Sequence, residues 1–167
     1  EELAQADLPV AEEAELVFEQ PLNERMRTFL RIDFLYSQAT YHNDRASEWG
    51  SRAAIASLID ILAITTRGDA RADALKELER QLSLLNEFQA KPSVDTSRLR
   101  AVMSNLMRLR TELLAAGSAY LQPIKESEFL AAVKHRSAIP GGTCEFDLPD
   151  YFYWLQQPTA ARTQAFN

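Results

Sequence analysis

The first strong pattern of apolar and polar residues lies between Leu22 and Tyr36. At about 100° per residue the apolar side chains of this stretch gather on one arc, which predicts a first helix over 22–42. The Gln20-Pro21 pair marks its start, because a residue before proline avoids the helical region while proline suits a first helical turn. The residues before that pair, 16–20, favour a short N-terminal strand.

Two features of this helix depart from a simple amphipathic pattern. Asp33 falls near the middle of the apolar arc, so we expect a buried acid paired with an arginine of the bundle, either Arg25 or Arg110. Arg27 and Arg31 lie one turn apart on the polar side, where like charges repel each other. These two arginines are candidates for binding an anionic partner. Solvation or local pairing with acids would explain them equally well.

The middle of the chain predicts three more helices. One begins at a Ser47 N-cap and ends near Thr66, and its nearly continuous apolar centre is typical of a helix buried within a bundle. Helices at about 70–90 and 96–116 follow, with Asp95 available as a cap. They predict an antiparallel hairpin, with a dimer seam as the alternative. Their seam positions, apolar except for Gln89, are spaced alternately three and four residues apart: Leu75, Leu78, Leu82, Leu85 and Gln89, then Leu99, Val102, Leu106, Leu109 and Leu113.

A tight turn separates the hairpin region from the last helices. A fifth helix is predicted at about 126–137, with its apolar residues facing inward. Pro140, Gly141 and Gly142 then form a strong turn signal, since glycine and proline favour turns. The residues that follow, 143–146, are predicted to be extended.

The C-terminal residues predict two short helices. Asp147 is expected to cap an aromatic helix, with Pro149 in its first turn. Another helix starts at Thr159, and the sequence stops within its second turn. We therefore expect the chain to be a truncated form of a longer protein.

Composition agrees with a mainly α protein. Only 5 glycines and 7 prolines among 167 residues are too few for a loop-rich or all-β chain. The single cysteine, Cys144, excludes an internal disulfide and is typical of a reducing cytosol. No apolar run approaches the roughly 18 residues that a membrane span needs, so we expect a cytoplasmic protein without direct membrane insertion.

The net charge of −6 is distributed unevenly. Residues 1–19 contain seven acids and no basic residue, which leaves 17 of the 24 acids against all 18 basic residues in the rest. We expect residues 1–15 to form an acidic disordered leader and residues 16–167 to form the helical domain. An alternative is an acidic arm that competes for the basic surface of the same chain.

The residue pattern does not favour catalysis. His42 and His135 lack metal-ligand spacing to each other or to Cys144, so neither a metal nor a cofactor is expected. Glu145 and Asp150, with Asp147 between them, would be the candidates for a small carboxylate-using enzyme, but helix capping explains the aspartates better. Nucleic acid is not expected as a partner either, because the arginines of the fourth helix are scattered around it: Arg98, Arg100, Arg108 and Arg110.

Three stretches together resemble a known family. They are FEQPLNERMRTFLRIDFL (18–35), RGDARADALKELERQ (67–81) and AIPGGTCEFDLPDYFYWL (138–155). Their order and spacing are similar to those of the bacterial cell-division protein family ZapD. The resemblance implies a cytoplasmic homodimer that binds the C-terminal peptide of FtsZ and bundles FtsZ filaments at mid-cell. It also implies a helical domain joined to a β-strand domain, of which only the helical one is represented here.

The resemblance implies an arginine-rich binding surface as well. Arg27 and Arg31 are the first candidates for it, and Arg67 and Arg71 in the loop after the second helix are the next. The resemblance also implies that part of that surface lies on the absent β domain. If binding lies wholly on that domain, this chain alone is a dimerisation module without partner binding of its own.

Overall fold

The computed structural model describes residues 17–45, 47–89, 91–117 and 119–164. The leader predicted at 1–15 lies outside these residues. Within them the chain is a helical bundle with no strand. The helices are α1 Glu24–Asn43, α2 Glu48–Arg67, α3 Ala70–Phe88, α4 Thr96–Ala115, α5 Gln122–Lys125, α6 Glu128–Ser137, α7 Pro149–Leu155 and α8 Thr159–Gln164.

Local capping sets the start of each long helix. The side chain of Asn23 accepts a hydrogen bond from the Met26 N–H, so α1 begins two residues later than its apolar pattern predicts. Ser47 caps α2 and Asp95 caps α4, as predicted. The short α5 was not predicted, and it has no side-chain cap.

Helix α2 lies at the centre of the bundle, as its apolar sequence predicts. It packs against α1 on one side and against α6 and α7 on the other. Burying apolar area on both sides is the main source of stability for such a helix. The core between α2, α6 and α7 consists of Ile55, Ile59, Val133, Tyr151 and Leu155.

Residues 17–20 form neither helix nor strand, which differs from the predicted N-terminal strand. A strand is stable only when its backbone groups pair with a neighbouring strand. No other strand is present among the described residues, so this segment has nothing there to pair with. Val17 and Phe18 are accordingly exposed.

The burial of Asp33 was predicted wrongly. Its side chain is exposed, and the structure pairs it with no described arginine. Arg25 instead pairs with Glu77 of α3, and Arg110 pairs with Glu79. Asp33 is exposed because α1 packs against α2 with a side other than the centre of its apolar arc. The residues on that side with reduced exposure are Thr28, Ile32, Leu35, Ala39 and His42.

Helices α3 and α4 form the predicted antiparallel hairpin, with a shifted seam on α4. Met103 is buried, while Val102 is 44% exposed. Arg110 takes the place expected for Leu109 and reaches across to Glu79 at 2.9 Å. The seam on α4 therefore follows Leu99, Met103, Leu106, Arg110 and Leu113.

The turn at 138–148 needs both of its glycines. Gly141 has a φ of +73°, a conformation that L side chains rarely adopt. A Cβ on Gly142 would lie 2.5 Å from the carbonyl oxygen of Arg136. Residues 143–146 form turns rather than the predicted extended segment, because the carbonyl oxygen of Cys144 accepts N–H bonds from Asp147 and Leu148.

Asp147 does not cap α7, contrary to prediction. Leu148 occupies the N-cap position, and no side chain caps the helix, while Pro149 starts it as predicted. The carboxylate of Asp147 faces Arg136 Nη1 at 3.6 Å and the Cys144 thiol at 3.5 Å. Asp147 therefore links the turn to the end of α6.

Arg52 attaches the turn at 138–148 to the central helix. Its guanidinium donates to the carbonyl oxygen of Thr143 at 3.0 Å and pairs with Glu48 at 3.1 Å. It also lies between the rings of Trp49 and Tyr151, at 5.5 and 5.1 Å from their centroids.

Candidate anion-binding site

A cleft of about 610 Å³ lies between α1, the C-terminal half of α2 and the first turn of α3. Arg31 enters it from α1, and Arg67 enters it from the last turn of α2. We call this the Arg31–Arg67 cleft. Its other main lining residues are Phe34, Leu35, Asp60, Ile64 and Asp73.

The antiparallel packing of α1 and α2 brings the two arginines together. Arg31 lies near the middle of α1 and Arg67 lies at the end of α2. Both side chains are exposed, and neither forms an ion pair with any residue that the structure describes. Two such guanidiniums can bind a carboxylate or phosphate from two sides, since each offers a planar set of donors.

Acids in the cleft offset part of this charge. Asp60 of α2 and Asp73 of α3 both line it. Asp73 faces Arg25 at 3.9 Å, which places its charge beside a third arginine. The net charge around Arg31 and Arg67 is therefore close to neutral or weakly positive. The cleft thus differs in its electrostatics from a strongly basic patch.

One wall of the cleft is apolar. Phe34 is 66% exposed, although it belongs to a helix that packs along its other side. Leu35 and Ile64 line the same wall. A ligand that combined carboxylates with apolar side chains would therefore find partners for both kinds of group.

Arg27 and Arg71, the other two predicted site residues, do not line this cleft. Arg27 Nε donates to Glu24 Oε1 at 3.0 Å on the same helix. Arg71 donates to the carbonyl oxygens of Leu113 and Leu114, at 3.0 and 3.3 Å, where it ties the end of α4 to the start of α3. The structure therefore brings Arg31 and Arg67 together and places the other two in separate contacts.

The sequence did not predict that Phe34 and Asp60 line the cleft. Phe34 belongs to the apolar arc and was therefore expected in the core. It lines the cleft because α1 packs against α2 with a different side. A signal was present, since Phe34 lies only about 60° from Arg31 on the helical wheel. Asp60 interrupts the apolar centre of α2, which also distinguishes it in the sequence.

The candidate carboxylate cluster near the 138–148 turn does not form a catalytic arrangement. Glu145 and Asp150 are exposed, and Asp147 is held by Arg136. Across the described ranges, no group of three or more histidine, cysteine, aspartate or glutamate side chains has the geometry of a metal site. In the same ranges, no helix combines the length and apolar character required to span a membrane.

Comparisons with known proteins agree with the resemblance found in the sequence. The family model described as ZapD, cell division protein, matches residues 30–167. The chain is 37% identical over 147 residues to the cell division protein ZapD of Chromobacterium violaceum, covering 88% of this chain and 58% of that protein. It is 36% identical over 148 residues to that of Methylococcus capsulatus, covering 89% and 58%.

The relative from Yersinia pseudotuberculosis is 38% identical over 152 residues, which covers 91% of this chain and 60% of that protein. The chain thus spans about three fifths of the length of the curated relatives that it matches. A family match over residues 30–167, with relatives above 30% identity, establishes the assignment. The chain belongs to the ZapD family of cell division proteins.

Proposed function

We propose that this chain binds the short C-terminal peptide of FtsZ in the Arg31–Arg67 cleft. The observation that carries the proposal is the pairing of two exposed arginines from different helices, neither engaged by a described acid, beside an exposed phenylalanine. FtsZ subunits are acidic and carry mobile tails, so such a peptide offers the carboxylates that these arginines lack. Membership of a cell-division family supports this choice of partner.

The contacts would be individually weak. Each exposed arginine–carboxylate pair contributes about 0.2–1 kcal/mol, and burying an apolar side chain against Phe34 adds about 1–2 kcal/mol. A single peptide would therefore bind with modest affinity. A filament presents many peptides, however. When one site of a dimer is bound, the effective concentration of further peptides at the second site is high, so the dimer binds the filament more tightly than one site binds one peptide.

Filament cross-linking requires two such sites in one particle, so the proposal includes a homodimer. The second copy of the chain would bind in a groove on the side of the hairpin. Its lining is mostly apolar and includes Phe29, Leu78, Leu109 and Leu113, and its polar residues are Glu77, Gln81 and Glu112. Leu109 is 39% exposed there. An apolar face of this kind is typical of an interface between protein chains.

In the cell, the proposed activity is non-enzymatic promotion of Z-ring assembly at mid-cell. The protein would be cytoplasmic and would reach the division site through FtsZ itself. If the cleft did not bind FtsZ, the chain would act as a dimerisation module, and the hairpin groove would be its main functional surface.

Co-sedimentation with polymerised FtsZ tests the proposal. Low-speed centrifugation collects bundles and leaves single filaments in solution. We expect the intact chain to increase the pelleted fraction and Arg31→Glu/Arg67→Glu to abolish the increase. Arg98→Glu/Arg100→Glu on α4 is the matched control, because both arginines are exposed and lie outside the cleft. Equal bundling by the cleft variant and the wild type would reject the site.

A further inference from the structure

Two smaller clefts continue from the Arg31–Arg67 cleft around the end of α2. The first, of about 310 Å³, shares Arg67 and Gly68 with it and is also lined by Tyr120 and Lys125. The second, of about 220 Å³, shares Lys125 with the first and is lined by Lys134 of α6. Because each cleft shares lining residues with the next, they form one interrupted groove.

The charge along this groove becomes more positive away from Arg31. The Arg31–Arg67 cleft contains Asp60 and Asp73, as described above. The next cleft contains one acid, Asp69, whose carboxylate accepts the Ala72 N–H as the N-cap of α3. The lining of the last cleft includes two lysines and no acid.

Lys125 and Lys134 are both exposed, and neither forms an ion pair with a residue in the described ranges. Most of the other residues that line the last cleft are apolar, among them Ile124 and Leu130. Basic groups separated by apolar surface suit an extended peptide, in which acidic and apolar side chains can alternate. A nucleic acid would instead need a continuous basic track with several stacking aromatics.

We infer that Lys125 is a second anchor for an acidic peptide that starts at Arg31, crosses the end of α2 at Arg67 and continues towards Lys134. The inference rests on the proposed function for its first contact and extends it to a longer ligand. A helix with its side chains is about 10–12 Å wide, so a peptide joining both sides of α2 must exceed that width. A dipeptide spans at most about 7 Å and a decapeptide at most about 36 Å, so only the longer one reaches both anchors.

Fluorescence anisotropy with labelled diglutamate and decaglutamate tests the second anchor. The ratio of the two affinities measures the gain from length, which we expect to be at least about tenfold for the wild type. Lys125→Gln should reduce that gain about three- to tenfold. Lys76→Gln is the matched control, since Lys76 is exposed on α3 and lines none of the three clefts. Circular dichroism confirms that each variant is folded.

An unchanged gain from length in Lys125→Gln would overturn the inference. Equal displacement of decaglutamate by oligothymidylate of the same charge would overturn the choice of a peptide as the ligand. The FtsZ C-terminal peptide, titrated in parallel, separates this inference from the proposed function. If it bound with dependence on Arg31 but not on Lys125, only the second anchor would be rejected. If it failed to bind while decaglutamate retained its gain from length, only FtsZ as the partner would be rejected.

Discussion

Arg25 of α1 pairs with Glu77 of α3 at 3.4 Å, and this contact links the hairpin to the rest of the bundle. The same guanidinium faces Asp73, one turn before Glu77, at 3.9 Å. Because Asp73 also lines the Arg31–Arg67 cleft, Arg25 places a positive charge beside one of the acids of that cleft. The link between α1 and α3 therefore runs along one edge of the Arg31–Arg67 cleft.

The Glu77 carboxylate should make stability depend on pH in the acid range. Hydrogen bonds from Arg80 and Gln81, together with the charges of Arg80 and Arg25, lower the pKa of Glu77 to about 2, although burial opposes this. A lowered folded-state pKa stabilises the fold above the unfolded value, near 4.5, and that stabilisation is lost as pH falls towards 2. Glu77→Gln should lower the Tm by about 3–8 °C at pH 7.

Thermal unfolding followed by circular dichroism at pH 7, 4 and 2.5 checks this prediction. The difference in Tm between Glu77→Gln and the wild type should narrow progressively below pH 4.5. Glu79→Gln is the control, because Glu79 is more exposed and pairs with Arg110 alone. A difference that stayed constant down to pH 2.5 would contradict the role assigned to the charged form of Glu77.

Gly142 should tolerate no side chain. A Cβ there would meet the carbonyl oxygen of Arg136 at 2.5 Å and the Cβ of Ile139 at 2.9 Å, both of them rigidly placed atoms. Gly142→Ala is expected to lower the free energy of unfolding by about 1–3 kcal/mol. Gly68→Ala is the matched control, because no atom lies within 4 Å of a Cβ at that position. Urea unfolding of the two variants gives the comparison, and equal stabilities would contradict the close approach.

Asp33 should contribute little to stability, since its side chain is exposed. Asp33→Asn is expected to change the free energy of unfolding by less than about 0.5 kcal/mol. Asp95→Ala is the comparison with a measurable effect, because asparagine at this position would still cap α4. The alanine variant loses the hydrogen bonds that the Asp95 carboxylate accepts from the backbone N–H groups of Ser97 and Arg98. Its free energy of unfolding should fall by about 1 kcal/mol. A loss of 2 kcal/mol or more for Asp33→Asn would support the buried ion pair that the sequence predicted.

Arg27 and Arg31 should differ in their effect on peptide binding, although they lie one turn apart. Arg27 is paired with Glu24, whereas Arg31 faces the cleft. We expect Arg31→Ala to weaken binding of the FtsZ C-terminal peptide about three- to tenfold and Arg27→Ala to weaken it less than twofold. Isothermal titration calorimetry measures both variants under identical salt, since screening weakens such contacts. Equal losses would indicate a basic surface spread over the polar side of α1.

The sequence predicted the helical class and the capped starts of α2 and α4, because Ser47 and Asp95 act locally. The hairpin was predictable too, since its leucines repeat every three and four residues. The packing face of α1 was not predictable, because its apolar arc covers more than half of the helix and the pattern does not show which part of that arc is buried. Its true face includes the small Ala39, and α1 comes close enough to α2 that a Cβ on Gly50 would lie 2.8 Å from the carbonyl oxygen of His42.

The candidate site was predictable only in part. Arg31 and Arg67 were both identified as candidates, but a sequence does not show that two helices bring them to one cleft. Arg71 could not be separated from them, since its bonds to the carbonyl oxygens at the end of α4 depend on the hairpin geometry. Similarly, Asp147 was assigned to capping on local grounds, while its actual partner, Arg136, comes from the preceding helix.

A double-mutant cycle on Arg31 and Arg67 tests the central claim most directly. The affinity of the FtsZ C-terminal peptide is measured for the wild type, Arg31→Ala, Arg67→Ala and the double variant. If both arginines hold one ligand in one cleft, each single change should weaken binding about three- to tenfold, and the double variant should differ from the product of the two effects. Unchanged affinity in both single variants would contradict the account.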